Sequence, residues 1–152
     1  MTAGSIRTAI VTERIAWIRK MLDGIRNLPM SSYDQFTSDP RTPAAAESYL
    51  RRALEALLDL GRHVLAKGFT VAPAEYKEVA DELARAGVLS EKDSALLRQT
   101  AGYRNRLVHF YHEISQEELY ALCSLHLPEV EHVCEAVLKW LQGHPDKLDR
   151  TI

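Results

Sequence analysis

The sequence lacks the features that mark secreted, fibrous and membrane-spanning chains. Of its 152 residues, only 2 are Cys, 7 are Gly and 6 are Pro, which argues against a disulfide framework and excludes a disordered or fibrous chain. The longest apolar runs have only a few residues, as at 44–46, whereas a bilayer span needs about 20. The N-terminus carries charges throughout and has no apolar run of the signal-peptide type. We therefore expect a cytoplasmic protein with no membrane partner.

A strong excess of charge of either sign is also missing. Lys and Arg total 19, Asp and Glu total 21, and the formal net charge is -2. This balance excludes nucleic-acid binding through bulk positive charge, but it leaves a local basic site open. The basic set consists of 13 Arg and 6 Lys. An Arg guanidinium binds phosphate through two parallel hydrogen bonds, whereas Lys acts as a point charge.

Apolar side chains recur every three or four positions through most of the chain, which is the spacing of amphipathic helices. The residues predicted to face inward are Val11, Ile15, Ile18, Leu22 and Ile25; Leu50, Leu54, Leu57, Gly61, Val64 and Leu65; Tyr76, Val79, Ala80 and Leu83; and Val130, Val133, Val137 and Leu141. Residues 29–43 are polar and bounded by prolines, so we predict a connection there, with the next helix beginning near Pro43 and ending at Gly68. No segment has a clear strand pattern.

Serine and proline positions indicate where the later helices begin. Ser90 and Ser115 each stand three residues before an acidic residue, the spacing of a helix N-cap. The helix after Ser90 is predicted to end at about Leu107, and Pro128 to begin the last helix. We predict an all-α bundle of four main helices with one or two shorter ones. A single domain covers residues 1–152, with a loosely ordered tail at about 144–152.

One segment, residues 102–113, is rich in side chains that can perform chemistry. Its sequence, GYRNRLVHFYHE, contains two Arg, two His and two Tyr. On a straight helix, Arg104 and His109 would point about 140° apart, and His109 and Tyr111 about 160° apart. We therefore expect the helix to end between Arg106 and His109, with extended backbone beyond it. Extended backbone would place His109 and Tyr111 on one side.

These residue types suit the cleavage of an RNA phosphodiester. Histidine, which ordinarily titrates near neutral pH, accepts a proton from a ribose 2′-hydroxyl. Arginine stabilises the charge that develops on the phosphate, and tyrosine stacks on a base or donates a hydrogen bond. Such a mechanism requires no metal and no cofactor. The alternative is a structural role, because basic residues also favour helix C-termini and bind their carbonyl groups.

The spacing Arg104-x4-His109-x-Tyr111 matches the R-x4-H-x-Y signature of the HepT toxins, which belong to the HEPN superfamily. The segments YLRRALEALLDLGRHVLAKG, YKEVADELARAGVLSEK, GYRNRLVHFYHEI and EELYALC also resemble HepT proteins in order and spacing. The resemblance covers roughly residues 44–140. It implies a small all-α homodimer with a HEPN-like fold, which acts as the ribonuclease toxin of a two-gene toxin–antitoxin module.

The resemblance also implies roles for individual residues. Arg104 and His109 match the catalytic pair of the family, gathered along the dimer interface into a composite, metal-independent endoribonuclease site. Tyr111 matches the tyrosine that the partner antitoxin, a minimal nucleotidyltransferase called MntA, modifies by adenylylation (AMPylation). The added AMP brings bulk and negative charge beside the Arg. Asn105, Arg106 and Tyr111 are candidate substrate-binding residues, although Arg106 could equally be a surface charge and Asn105 a helix cap.

Other interpretations of the same residues stay open. The chain could be a non-catalytic HEPN module that binds nucleotide or RNA as the partner subunit of a nucleotidyltransferase. It could also be a purely structural helical dimer, if Arg104 and His109 are buried and far apart. Arg51, Arg52 and Arg62 could extend an RNA-binding surface, but the acidic residues interleaved with them favour a solvated face.

Two patterns typical of metal sites are rejected on their spacing. Glu129-x-x-His132 is half of a di-iron carboxylate site, and no second E-x-x-H motif occurs in the sequence. Cys123-x2-His126 and His132-x-Cys134 resemble zinc-ligand spacing. However, residues two apart on a helix point in nearly opposite directions. We predict that the two cysteines belong to the core and that no metal is bound.

Overall fold

The computed structural model describes residues 5–149, except for the side chain of Tyr111. Over this range the chain forms seven α-helices, two 3-10 turns and two very short strands. The helices are α1 (Thr8–Arg26), α2 (Tyr33–Thr37), α3 (Arg41–Phe69), α4 (Tyr76–Arg85), α5 (Glu91–His109), α6 (Gln116–Leu125) and α7 (Leu127–Gly143). The 3-10 turns are Tyr111–Glu113 and Pro145–Lys147, and the strands are β1 (Ile6–Arg7) and β2 (Leu148–Asp149). The predicted all-α class is confirmed, with four long helices and, in the described residues, three shorter ones where we predicted one or two.

The core lies around α3, which contacts α1, α4, α5, α6 and α7. All residues predicted to face inward on the first, second and last main helices are buried. On α4, Val79, Ala80 and Leu83 are buried, but Tyr76 is only partly buried because its ring reaches a surface pocket. None of the described helices combines the length and apolar character that crossing a bilayer requires.

Both predicted serine caps are present. The Oγ of Ser90 accepts a hydrogen bond from the Asp93 N–H at 3.1 Å, and the Oγ of Ser115 accepts one from the Glu118 N–H at 3.1 Å. The Glu118 carboxylate does not complete a capping box, because it binds the guanidinium of Arg106 on α5. This ion pair joins the end of α5 to the start of α6, on either side of the segment with the signature residues.

The connection at 29–43 is more ordered than its polar composition predicts. It contains α2, whose N-terminus is capped by Ser32, and the Phe36 side chain on α2 is fully buried. The ring of Phe36 packs against Tyr120 of α6, with the ring centroids 5.2 Å apart. Burial of one aromatic side chain therefore packs this segment against the bundle. Such a tertiary contact leaves no periodic pattern in the sequence, so the sequence did not predict it.

Residues 144–149, which we expected in a loosely ordered tail, form a 3-10 turn followed by β2. This strand pairs in parallel with β1, with Ile6 opposite Leu148 and Arg7 opposite Asp149. The Ile6 side chain is fully buried. Burial of Ile6 gives the pairing a hydrophobic anchor, but two-residue strands are too short to show a pattern in the sequence.

α4 lies very close to α3 at Gly61. A Cβ atom at this position would lie 2.8 Å from Cγ1 of Val79 and 3.0 Å from Cδ1 of Leu83. The absence of a side chain at residue 61 therefore permits the close approach of the two helices. This packing places the start of α4, and with it Tyr76, beside Arg62.

Candidate functional site

The signature residues lie on the last turns of α5 and in the turn that follows. α5 continues through His109, so our prediction of a helix end between Arg106 and His109 is wrong. The N–H of Phe110 still donates to the Arg106 carbonyl oxygen at 2.9 Å. Beyond it, Tyr111–Glu113 form a 3-10 turn rather than extended backbone. The β-forming tendency of these residues is a weak, context-dependent preference, and the helical hydrogen bonds prevail over it.

Arg104, Asn105 and His109 line one surface pocket of about 480 Å³. The other residues that line it come from α3, α4 and the connections: Arg62, Ala74, Glu75, Tyr76 and Phe110. We expected the diverging directions of Arg104 and His109 on a helix to keep them apart unless the helix broke or a second subunit contributed. The single chain already brings both side chains to one pocket, without a helix break.

Arg104 is held in the wall of this pocket, with 20% of its side chain exposed. Its Nε lies 3.7 Å from Oε1 of Glu55, its Nη1 donates to Oδ1 of Asn105 at 3.3 Å, and its Cζ lies 4.7 Å from the centroid of the Tyr76 ring. The buried Nε has no hydrogen-bond partner among the described residues, since 3.7 Å is too long for a hydrogen bond. These contacts fix Arg104 in position, and its Nη2 forms no hydrogen bond within the described residues.

His109 is the last residue of α5, and it is exposed at the mouth of the same pocket. Its ring lies edge-on to the ring of Phe110, with the centroids 6.4 Å apart. Phe110 is 48% exposed and stands between this pocket and a second one of about 660 Å³. An exposed imidazole and a partly buried guanidinium that line one pocket allow proton transfer close to a bound anion.

The candidate substrate-binding residues differ in the contacts that they already make within the chain. Asn105 lines both pockets and accepts the hydrogen bond from Arg104. Arg106 lines the second pocket and forms a two-point ion pair with Glu118, in which Nη2 lies 3.0 Å from Oε2. This pairing raises the pKa of Arg106. The side chain of Tyr111 lies outside the part of the chain that the structure describes.

Our sequence reasoning missed Tyr76 as a pocket residue, and it weighed Arg62 for RNA binding but favoured a solvated charge. We placed Arg62 on a solvated face of α3 and Tyr76 in the core. In the structure, Cζ of Arg62 lies 4.6 Å from the Tyr76 ring centroid, and the Tyr76 hydroxyl donates to Oδ1 of Asp59 at 2.8 Å. Burial and this hydrogen bond raise the pKa of Tyr76. The sequence did contain one indication of the position of Arg62. Glu55, Asp59 and Arg62 are spaced four and three residues apart, which places them on one face of α3.

Among the residues weighed as metal ligands, His126 and His132 contact carboxylates and the two cysteines are buried in the core. Nε2 of His132 lies 2.8 Å from Oδ1 of Asp93, and this exposed pair joins α7 to the start of α5. Cys123 and Cys134 are buried free thiols, as predicted. Burial raises the pKa of Cys123 to about 12 and that of Cys134 to about 11. A thiol with so high a pKa is unreactive at neutral pH, so both cysteines contribute packing.

The sequence and the fold are similar to those of known proteins. A protein of Aphanizomenon flos-aquae (strain 2012/KM1/D3) named tRNA nuclease HepT is 25% identical over 125 residues, which cover 82% of this chain and 85% of the relative. The structure of a tri-AMPylated Shewanella oneidensis HEPN toxin in complex with MNT antitoxin has a TM-score of 0.77 at 22% identity, covering 86% of this chain and 97% of that chain. YutE of Bacillus subtilis, described as a cytosolic protein of unknown function, has a TM-score of 0.73 at 20% identity, covering 88% and 90%.

The two structural neighbours share the fold, and the family assignment comes from the sequence. The family described as Ribonuclease HepT-like matches residues 12–137, a range that contains the signature residues and all but the two ends of the helical bundle. The chain therefore belongs to the HepT-like ribonuclease family of the HEPN superfamily.

Proposed function

We propose that this chain is a metal-independent endoribonuclease, the toxin of a HepT/MntA-type toxin–antitoxin module. The observation that carries the proposal is the pocket that Arg104 shares with the exposed imidazole of His109. The relative named tRNA nuclease HepT supports RNA as the substrate class. The HEPN toxin in complex with MNT antitoxin supports a nucleotidyltransferase antitoxin as the partner.

His109 is the general base of the proposed reaction. Its imidazole accepts the proton of a ribose 2′-hydroxyl, and the 2′-oxygen attacks the adjacent phosphorus. The bond from phosphorus to the 5′-oxygen of the next nucleotide breaks, and this oxygen takes up a proton from water. The imidazolium of His109 then gives its proton to the hydroxide that remains, which restores the base. The products are a 2′,3′-cyclic phosphate and a 5′-hydroxyl end. Positioned general bases contribute about 10²–10⁴-fold to such reactions.

Arg104 binds the scissile phosphate and stabilises the negative charge that develops on its oxygens. Its burial supports this role, because a hydrogen bond from a guanidinium is stronger away from bulk water. The Nη2 of Arg104 forms no hydrogen bond within the described residues, and it is the donor proposed for a phosphate oxygen. Asn105 holds the guanidinium through its Oδ1, and Arg106 adds positive charge at the neighbouring pocket. The proposed steps use only these side chains.

We further propose a homodimer with a composite site at its interface, as the resemblance implies, and that Arg104 of one copy acts there with His109 of the other. Two features of the chain support an interface at this position. The pocket opens at the surface, and Phe110 at its rim is 48% exposed, although large aromatic side chains are usually well buried. A second copy would cover Phe110 and bring a second set of signature residues to the cleft.

Cleavage of RNA in the presence of EDTA tests the proposed function. Intact mass is measured first, so that only protein without AMP is used, and the substrates are total tRNA and a broad set of other RNAs. We expect cleavage with EDTA present, and product ends that carry a 2′,3′-cyclic phosphate. Fragments that end in a 3′-hydroxyl would rule out attack by the 2′-oxygen. If the unmodified protein cuts none of these RNAs, the non-catalytic partner subunit becomes the better interpretation.

AMPylation of Tyr111 is the proposed means of silencing the toxin. An MntA-like antitoxin would transfer AMP from ATP to the phenolic oxygen and release pyrophosphate, which adds bulk and a phosphodiester charge two residues after His109 in the chain. With the antitoxin and ATP, we expect wild type to gain AMP and to lose cleavage activity. Tyr111→Phe should keep its activity, whereas the control Tyr103→Phe should be silenced like wild type. Peptide mass spectrometry locates the AMP, and silencing of Tyr111→Phe by AMP on another residue would contradict the proposal.

A further inference from the structure

Arg62 on α3 lines the pocket with a guanidinium that forms no ion pair within the described residues. Its Nη2 donates to the Ala74 carbonyl oxygen at the long distance of 3.5 Å, and its buried Nε has no partner among the described residues. Arg62 forms no ion pair with any described carboxylate, whereas Arg51 on the same helix pairs with Glu55 at 3.2 Å. A guanidinium has five N–H donors. The Nε of Arg62 is buried and its Nη2 contacts Ala74, whereas its Nη1 forms no hydrogen bond within the described residues and is the donor left for a ligand.

The ring of Tyr76 contacts both Arg62 and Arg104, and all three residues line the same pocket. The two Cζ atoms lie 4.6 Å and 4.7 Å from the centroid of the same ring, within the range of cation–π attraction. The hydrogen bond from the Tyr76 hydroxyl to Asp59 fixes the ring. It also engages the carboxylate that stands three residues before Arg62 on α3. Because two guanidinium groups in one pocket repel each other, the arrangement favours a bound anion.

We propose that Arg62 binds the RNA phosphate next to the one held by Arg104, and that Tyr76 is the positioning residue for both guanidiniums. This inference rests on the proposed function, since it assigns a second subsite to the same substrate. A single RNA strand presents successive phosphodiesters, and each guanidinium can bind phosphate oxygens through two hydrogen bonds. Glu75 is the carboxylate that lines the same pocket, and it forms no ion pair with either Arg among the described residues.

Binding of a single-stranded 2′-O-methyl RNA tests the Arg62 subsite without cleavage. Affinity is measured by fluorescence anisotropy over a series of salt concentrations, for wild type, Arg62→Ala and the matched control Arg52→Ala. Arg52 lies on the same helix and is exposed away from the pocket. We expect Arg62→Ala to weaken binding about 10-fold to 100-fold. The slope of log K against log salt should fall by about 0.7, the loss of one phosphate contact. Thermal unfolding confirms that each variant is folded.

The possible outcomes separate the subsite from the proposed function. If Arg62→Ala binds with wild-type affinity and slope while wild type cleaves RNA, the subsite is wrong and the nuclease stands. If Arg62→Ala lowers the slope of log K against log salt as expected, but unmodified wild type cleaves no RNA, the subsite is supported and the proposed nuclease function is wrong. An equal loss in Arg52→Ala would indicate diffuse electrostatic attraction and would overturn the subsite. A wild-type protein that does not bind single-stranded RNA would overturn both.

Tyr76→Phe tests the positioning role. Without the hydroxyl, Asp59 loses its hydrogen-bond donor and becomes available to pair with Arg62, three residues further along α3. We expect KM for RNA cleavage to rise by about 3-fold to 10-fold, with kcat within about twofold of wild type, because the ring and the scissile-phosphate site remain. Adding Asp59→Asn should restore KM, since it removes the competing charge. If KM stays raised in the double variant, or if Tyr76→Phe alone leaves KM unchanged, Tyr76 has no such role.

Discussion

His109→Ala is expected to lower the rate of RNA cleavage by about 10²–10⁴-fold without unfolding the protein. The loss follows from the removal of the base that accepts the 2′-hydroxyl proton. The fold should be unaffected, because His109 is exposed and its recorded side-chain contact within the described residues is the edge-on approach to the Phe110 ring. Surface substitutions of this kind usually change stability by less than about 0.5 kcal/mol. Single-turnover cleavage and thermal unfolding measure the two effects.

Two further measurements separate a catalytic role of His109 from an indirect one. His132→Ala is the matched control, since it also removes an exposed imidazole, and we expect its rate to stay within about twofold of wild type. Added imidazole should restore part of the activity of His109→Ala, because the pocket is open enough to admit it. Equal cutting by wild type and His109→Ala would show that the activity belongs to another site or to a contaminant. A comparable loss in His132→Ala would show that the assay reports folding.

The helical bundle was predictable because each main helix buries one continuous apolar stripe. The residues spaced three and four apart on α1, α3 and α7 are the ones the structure buries, and the serine caps at 90 and 115 act as predicted. α2 was not predictable, because Phe36 is an isolated aromatic residue whose burial depends on Tyr120 of α6. A contact between segments so distant in the chain leaves no local pattern.

The candidate site was predictable only in part, for a related reason. The positions of Arg104 and His109 came from a local motif on α5, which sequence spacing can reveal. Arg62 and Tyr76 belong to α3 and α4, and they reach the pocket because Gly61 lets these helices pack closely. The end of α5 was mispredicted because β propensity at 108–111 was given more weight than helical hydrogen bonding. Tertiary packing therefore determines the part of the site that the motif does not contain.

Arg104→Ala is expected to lower cleavage by about 10²–10³-fold, the usual cost of removing one donor that stabilises transition-state charge. Stability should change little, because Glu55 keeps Arg51 as an ion-pair partner at 3.2 Å. The cleavage rate of Arg104→Lys should lie between those of Arg104→Ala and wild type. Lysine keeps the positive charge but loses the two-point contact with phosphate and the stacking on Tyr76. Arg85→Ala, which removes an exposed Arg paired with Glu82 on α4, is the control and should cleave like wild type. If Arg104→Ala has the kcat/KM of wild type, Arg104 does not take part in catalysis.

Combining the two inactive variants then determines whether the site is shared between subunits. Arg104→Ala and His109→Ala chains, each with a different affinity tag, are coexpressed and isolated as a doubly tagged heterodimer. In a two-fold symmetric composite site, one cleft of this heterodimer keeps Arg104 from one chain and His109 from the other, so about half of the wild-type activity should return. If the site lies within one chain, as the shared pocket also allows, neither cleft is intact and the heterodimer stays inactive. An inactive heterodimer would therefore show that both residues of a site come from one chain and that the site is not composite. If the two chains do not copurify, the proposed homodimer is wrong.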